Sequence, residues 1–240
     1  MSGPGFPLPG ALAPGKLAIV IPVLHEAARL PATLSRLAAE APGVEIVVVD
    51  GGSADDSVAV ARGQGARVMF AARGRGAQLA AGIRATAAPW ILLLHADTVL
   101  APGWGEVVAR FIGSPEAGER AGYFRFALAE ATPRVRRLMR IVAWRARVLG
   151  LPYGDQGLLI SRAFLERVGG MAAWPLMEDV DLVRRIGRAR LAALDADATT
   201  SAARYGRGFR RRSLRNLVCL GLYCLGVPPS RLVAFYDGGG

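Results

Sequence analysis

A chain of 240 residues, 52% apolar and 20% charged, with mean hydropathy +0.30, can bury one substantial core and is too apolar to stay disordered. Its net charge of +11 comes from 30 basic against 19 acidic residues, and Lys16 is the one lysine, so the surplus is arginine, which pairs bidentately with phosphate. The surplus favours anionic partners (a nucleotide diphosphate, a membrane surface or a nucleic acid), does not choose among them, and also fits a GC-rich coding bias.

The opening MSGPGFPLPGALAPG has no basic stretch followed by an apolar one, so residues 1–15 read as a flexible tail and not as a secretion signal. Leu17 to Val23 (LAIVIPV) is a short aliphatic run closed by His25 and Glu26, the pattern of a strand buried on both faces. Residues 30–41 place Leu30, Leu34, Leu37 and Ala41 at helical spacing with Pro31 in the opening turn. Glu45 to Asp50 (EIVVVD) is a second strand, and GGSADD then offers a Gly-rich turn with Ser53 or Asp55 as cap of a helix over SVAVARGQG. A third strand spans Arg67 to Phe70, a helix residues 75–88, and a fourth buried strand Trp90 to Leu94. This alternation predicts an α/β fold with a largely parallel sheet and right-handed crossovers.

Beyond Pro102 a helix runs to about Ile112, and Gly122 to Ala129 alternates like an antiparallel edge strand. Residues 132–149 form a basic amphipathic helix with Val135, Leu138, Ile141, Val142, Arg145 and Leu149 roughly on one side. Such a helix suits either an ordinary surface or a membrane-facing one. A strand and short helix fill 158–168, and Glu178 to Arg188 is a helix with an acidic first turn. Arg204 to Arg215 is densely basic, and 213–227 reads as an apolar helix. Its apolar run Leu217 to Val227 falls short of the ~20 residues a spanning helix needs. Cys219 and Cys224 fit neither a zinc site nor a Cys-x-x-Cys pair and read as buried thiols in a reducing compartment.

In an open parallel sheet ligands bind beyond the carboxyl ends of the strands. The ends of the expected strands deliver Glu26, Asp50, Arg73 with Arg75, and Asp97 to one rim. Arg73-Gly74-Arg75-Gly76 followed by Gln78 at a helix start offers guanidinium charge, backbone N–H groups and a positive dipole end, all suited to phosphate; the same residues would also serve as a plain basic loop. Asp97 is a good ligand for Mg²⁺ or Mn²⁺, hard cations that prefer oxygen and bridge carboxylate to diphosphate.

The ordered set IPVLHE (21–26), VVVDGGSADD (47–56), RGRGAQLAAG (73–82), LLHADTVL (93–100), YGDQG (153–157) and PLMEDVDL (175–182) resembles the family 2 glycosyltransferases, specifically a small bacterial group with LHADT and MEDVD motifs. The resemblance implies the GT-A fold: a Rossmann-like, mostly parallel sheet flanked by helices with a small antiparallel addition. It implies an inverting, metal-dependent transfer of a sugar from a nucleotide diphosphate, with a UDP-sugar the expected donor class. Glu26 and Asp50 would hold base and ribose, and Pro22, Gly51, Arg73, Arg75, Gln78, His95, Ala96 and Asp97 would complete the nucleotide-sugar site. His95 stands where the family's Asp-x-Asp motif has its first Asp, which leaves Asp97 as the metal ligand and His95 as ligand, nucleotide contact or packing residue. Asp179 would take the proton from the acceptor hydroxyl, with Glu178 orienting it. An ordinary aspartate, pKa ~3.9 in water, is a weak base, so the site must raise its basicity or make the transfer late and concerted. Asp155 and Gln156 would line the acceptor side. The family's late Q/R-x-x-R-W element is not cleanly present; the basic stretch around Arg207 and Arg211 stands in its place without a following Trp.

The expected organisation is therefore a tail (1–15), a catalytic domain (16–203) and a basic, apolar helical extension (204–240). The amphipathic helix and the extension suit a lipid-linked acceptor and an anionic membrane, reached from the cytoplasm. A nucleotidyltransferase would need a basic, Gly-rich N-terminal loop where IPVLHE stands; a non-catalytic nucleotide-binding membrane module would bind donor without turnover. No aromatic-interleaved basic strand or helix-turn-helix pattern supports nucleic-acid binding.

Overall fold

A computed structural model of the chain describes residues 12–130, 132–200, 209–229 and 231–233. The N-terminal half alternates as its apolar runs predict: β1 (Leu17–Val23), α1 (Leu30–Glu40), β2 (Glu45–Asp50), α2 (Ser57–Gly63), β3 (Arg67–Phe70), α3 (Arg75–Ala85) and β4 (Trp90–Leu93). There follow β5 (Thr98–Leu100), α4 (Trp104–Ile112), β6 (Ala121–Leu128), α5 (Pro133–Leu149), β7 (Leu158–Ser161), α6 (Arg162–Arg167), α7 (Glu178–Ile186), β8 (Leu191–Thr200) and α8 (Phe209–Cys224). The eight strands form one sheet in the order β3-β2-β1-β4-β7-β6-β8-β5. The β3-β2-β1-β4 half is parallel throughout, and antiparallel pairs enter with β7.

β1 is buried at every position because helices cover both faces of the sheet. Leu17, Ile19 and Ile21 pack with Leu30, Leu34 and Leu37 of α1 and with Trp104 and Val108 of α4. Val20 packs the other way, with Leu79 and Ile83 of α3 and Leu182 and Val183 of α7. Each such side chain, fully buried, contributes ~1.5–3 kcal/mol before entropy is counted.

Three expectations are corrected. β6 is not an edge strand: it pairs with β7 on one side and with β8 on the other. Its alternation comes from Arg125, which faces outward to pair with Asp195 and Asp197 of β8. Ile141 and Leu149 are not on the buried side of α5, which packs Val135, Leu138, Met139 and Val142 against Phe126 and Leu128. Cys219 is buried, whereas Cys224 is exposed. Among the described residues no helix is long and apolar enough to cross a membrane.

Candidate active site

At the carboxyl edge of the parallel half, Val23 and Asp50 are register partners, so the loops after β1 and β2 lie side by side. They are laced together. The N–H groups of His25, Glu26 and Ala27 donate to Ser53 Oγ (2.9 Å), Ser57 Oγ (2.8 Å) and Asp55 Oδ2 (3.1 Å), and Ala54 N–H donates to His25 Nδ1 (3.2 Å). Ser53 and Asp55 thus bind the loops to each other, and Asp55 Oδ1 also accepts from the N–H of Ser57, the first residue of α2, at 3.1 Å. The Ser57 hydroxyl holds the Asp55 carboxyl below its usual pKa. His25 adopts φ +56°, a left-handed conformation uncommon outside glycine.

Asp50 is buried and accepts the N–H groups of Gly52 (2.8 Å) and Ser53 (2.9 Å) on Oδ2, while its Oδ1 has no hydrogen bond among the described residues. Glu26 pairs with Arg29 at 2.8 Å. That pairing raises the Arg29 pKa, and Asp97 adds a smaller push in the same direction, which puts Glu26, Arg29 and Asp97 in one electrostatic neighbourhood. Gln78 has a different duty from the phosphate contact expected of it. It is buried, and its Nε2 donates to Val23 O (2.8 Å) and Val49 O (2.7 Å), bracing the ends of β1 and β2 behind Gly51.

The start of α3 abuts the loop before α7. A Cβ on Gly76 would lie 2.3 Å from Trp174 O and 2.5 Å from Ala172 O, so only glycine permits this approach. Arg75 reaches across it, its Nε 2.9 Å from Glu178 Oε1, while Arg73 stays exposed at the rim. Glu178 is buried at the first position of α7, and Met177 before it takes φ +65°, a strained backbone for a non-glycine residue. Burial, reinforced by Asp179 and opposed by Arg75, pushes the Glu178 carboxyl up to about 7.

His95 and Asp179 face the same glycine. A Cβ on Gly154 would meet His95 Nε2 at 2.5 Å and Asp179 Oδ2 at 3.4 Å, and Gly154 N–H donates to that Oδ2 at 2.9 Å. Asp179 Oδ1 accepts from Val180 N–H at 2.8 Å, so the carboxylate is fixed at the helix N-terminus, where the dipole favours negative charge. Asp155 lies next in the same turn with Oδ1 shielded from solvent and not hydrogen-bonded among the described residues. Burial pushes its carboxyl to about 6, Arg145 opposes this, and Asp179 and Asp97 both add to it. Asp97, itself 3% exposed, therefore shares one electrostatic field with Asp155 and Asp179. A cleft is lined by His95, Tyr153, Gly154, Glu178 and Asp179 together with the apolar Leu79, Leu93, Leu182 and Val183.

The remaining predicted residues divide. Pro22 is buried within β1, and Ala96 is buried with its carbonyl accepting from Thr33 Oγ1 at 2.8 Å; both shape the site through backbone. Gln156 is buried and donates to Phe124 O (3.1 Å), bracing its turn to β6. Arg207 lies outside the described residues, as does the side chain of Arg211. Asp181 turns from the cleft to Arg185 and to the Tyr223 hydroxyl.

One residue that the sequence expectations placed only in a helical stripe joins the site. Arg145 stacks its guanidinium 3.4 Å over the Tyr153 ring and donates to Leu151 O (2.9 Å). The signal was an arginine in an otherwise apolar helical stripe. Among the described residues no three His, Cys, Asp or Glu side chains converge as a ready metal cage. The donor set fits a hard cation only in the mode where one carboxylate suffices and diphosphate oxygens and water complete the shell.

The chain matches the model of glycosyl transferase family 2 over residues 18–153. A comparison with curated proteins found no match. Among solved structures, S. aureus TarS 1-349 superposes with TM-score 0.63 at 13% identity, covering 92% of this chain and 69% of that one. Mannosyltransferase PcManGT from Pyrobaculum calidifontis, in complex with GDP-Man and Mn²⁺, gives TM-score 0.61 at 17% identity over 94% of this chain and 71% of that one. Glucosyl-3-phosphoglycerate synthase from Mycobacterium tuberculosis, with Mn²⁺, UDP and glucosyl-3-phosphoglycerate, gives 0.55 at 19% over 85% and 78%. At these identities the likeness speaks for the fold.

Proposed function

The chain belongs to glycosyl transferase family 2, and we propose that it moves a sugar, with inversion, from a nucleotide diphosphate to an acceptor hydroxyl. The observation that supports this proposal is the convergence of His95 and Asp179 on Gly154, with Asp97 and Asp179 both close enough to the neighbouring Asp155 to act on its carboxyl. The bound UDP and GDP-Man of two structural neighbours support a nucleotide-sugar donor, with UDP-sugar as our choice.

Glu26 and the unbonded Oδ1 of Asp50 accept from the base and ribose. Arg73, Arg75 and the N-terminus of α3 face the diphosphate. Asp97, with His95 beside it, would hold Mg²⁺ or Mn²⁺, which would neutralise charge on the departing diphosphate; the Mn²⁺ in two neighbours supports that assignment. Asp179 accepts the acceptor's proton as its oxygen bonds to the anomeric carbon, and the carbon–oxygen bond to the diphosphate breaks with the electron pair leaving on phosphate. Attack from the face opposite the leaving group inverts the centre. Glu178 holds Arg75 and helps orient Asp179, and Asp155 lines the acceptor side. Positioning and charge stabilisation supply most of the rate.

The catalytic domain is residues 16–203 and the extension 204–240. The acceptor hydroxyl belongs to a lipid at the cytoplasmic face of an anionic membrane, an assignment supported by the basic, apolar outer surface of α5. A thermal-shift screen of nucleotide sugars with and without Mn²⁺ tests the donor assignment, because a bound donor stabilises by mass action. We expect a metal-enhanced shift with one nucleotide class; no shift with any nucleotide sugar would overturn it.

A further inference from the structure

Helix α5 is apolar on two sides. Val135, Leu138, Met139 and Val142 face β6, and Ala146 is buried on the same side. At ~100° per residue the outward face carries Ile141, Trp144 and Val148 in one line. Ile141 is 54% exposed and Trp144 55%, and no other described element covers them. Exposed Arg137 lies on that line one turn before Ile141, and exposed Arg140 and Arg147 flank it. Arg188, at the start of the segment after α7, adds charge at its end and donates from Nε to Arg147 O at 3.1 Å. The helix contains no acidic residue. A narrow apolar line with an indole, bordered only by arginines, matches an anionic bilayer surface, where acyl chains receive the line and headgroup phosphates the guanidinium groups.

We infer that α5 docks this chain on an anionic lipid surface through Ile141, Trp144, Val148 and Arg137, and so holds the acceptor side of the cleft against the bilayer. The same helix sends Arg145 from its other flank onto Tyr153 and Leu151 at the cleft. A bilayer on the outer face is thereby about one helix diameter, ~10 Å, from the site. The orientation deepens, and rests on, the lipid acceptor proposed above; the docking itself needs no catalysis.

The test is co-sedimentation of the full chain with phosphatidylcholine vesicles, with and without phosphatidylglycerol. Wild type should partition onto the anionic vesicles and little onto the neutral ones. Ile141→Glu with Trp144→Glu should weaken that partition by about tenfold or more, and Arg137→Gln with Arg140→Gln should remove the anionic preference. Phe70→Glu with Gln64→Glu, an equal charge change at exposed residues on and just before the sheet's far edge strand, should shift it by less than about twofold. Unchanged partition of the Ile141/Trp144 variant would overturn the proposal, and so would an equal loss with the Gln64/Phe70 variant, which would make binding a matter of net charge alone. A wild-type dimer that the Ile141/Trp144 variant dissociates, without vesicle binding, would assign the face to a second copy instead. Donor thermal shifts of wild type and the Ile141/Trp144 variant, read in parallel, should be equal; their absence from both would sink the transferase proposal while leaving the vesicle result standing.

Discussion

Arg75 and Glu178 join the phosphate-facing end of α3 to the first turn of α7, with Nε 2.9 Å from Oε1 and the carboxylate almost wholly buried. The two ends of the site are thus mechanically one unit, and the cost falls on Glu178, whose charge burial disfavours.

That cost gives a pH signature. The Glu178 carboxyl titrates near 4.5 in an unfolded chain and is raised to about 7 in the fold, so between these values the native state keeps a proton that the unfolded chain loses. Stability therefore falls as pH rises through that window. In the ligand-free protein, Glu178→Gln should remove this part of the slope, gaining on wild type by up to ~3 kcal/mol from pH 5 to pH 8. Asp155, raised to about 6, keeps the remainder. Denaturant titrations across pH check this; parallel curves for the two proteins would contradict it.

Gly154 is the contact between His95 and Asp179, and its φ is one an alanine can adopt. Gly154→Ala inserts a methyl 2.5 Å from His95 Nε2. We expect kcat to fall by about tenfold or more with stability changed by less than ~2 kcal/mol, since the imidazole can swing aside but the cleft cannot keep its shape. Steady-state kinetics and a melting curve measure both.

Gln78 and Arg73 sit in one motif yet should fail differently. Gln78→Ala leaves the Val23 and Val49 carbonyls without that donor inside the sheet and should cost ~2–4 kcal/mol of stability. Arg73→Ala, at an exposed position, should leave stability within ~0.5 kcal/mol and weaken donor binding by about tenfold. Paired chemical denaturation and donor titration separate the two.

The parallel half of the fold was legible because β1, β4 and the centre of β2 are continuous apolar runs, a pattern with few structural solutions. β8 was not: LAALDADATT is alanine-rich with two aspartates, and its strand character comes from pairing with β6 and from Arg125 engaging Asp195 and Asp197. At the site, motif order put Glu26 and Asp97 in the loops after β1 and β4, Asp50 at the end of β2 and Asp179 in the first turn of α7, as the elements have them. Side-chain direction was not encoded in this way. Gln78 and Gln156 turn inward to backbone carbonyls, and Arg145 meets Tyr153 only because α5 folds back over the turn that holds Gly154.

The rate of sugar transfer by Asp179→Asn at saturating donor probes the assignment of Asp179 as the base most directly. The asparagine keeps the side chain's shape and cannot accept the proton, so the donor's thermal shift should persist while turnover drops by roughly 10²–10⁴-fold. Turnover near the wild-type rate would show that Asp179 is not the base and that the acceptor enters elsewhere.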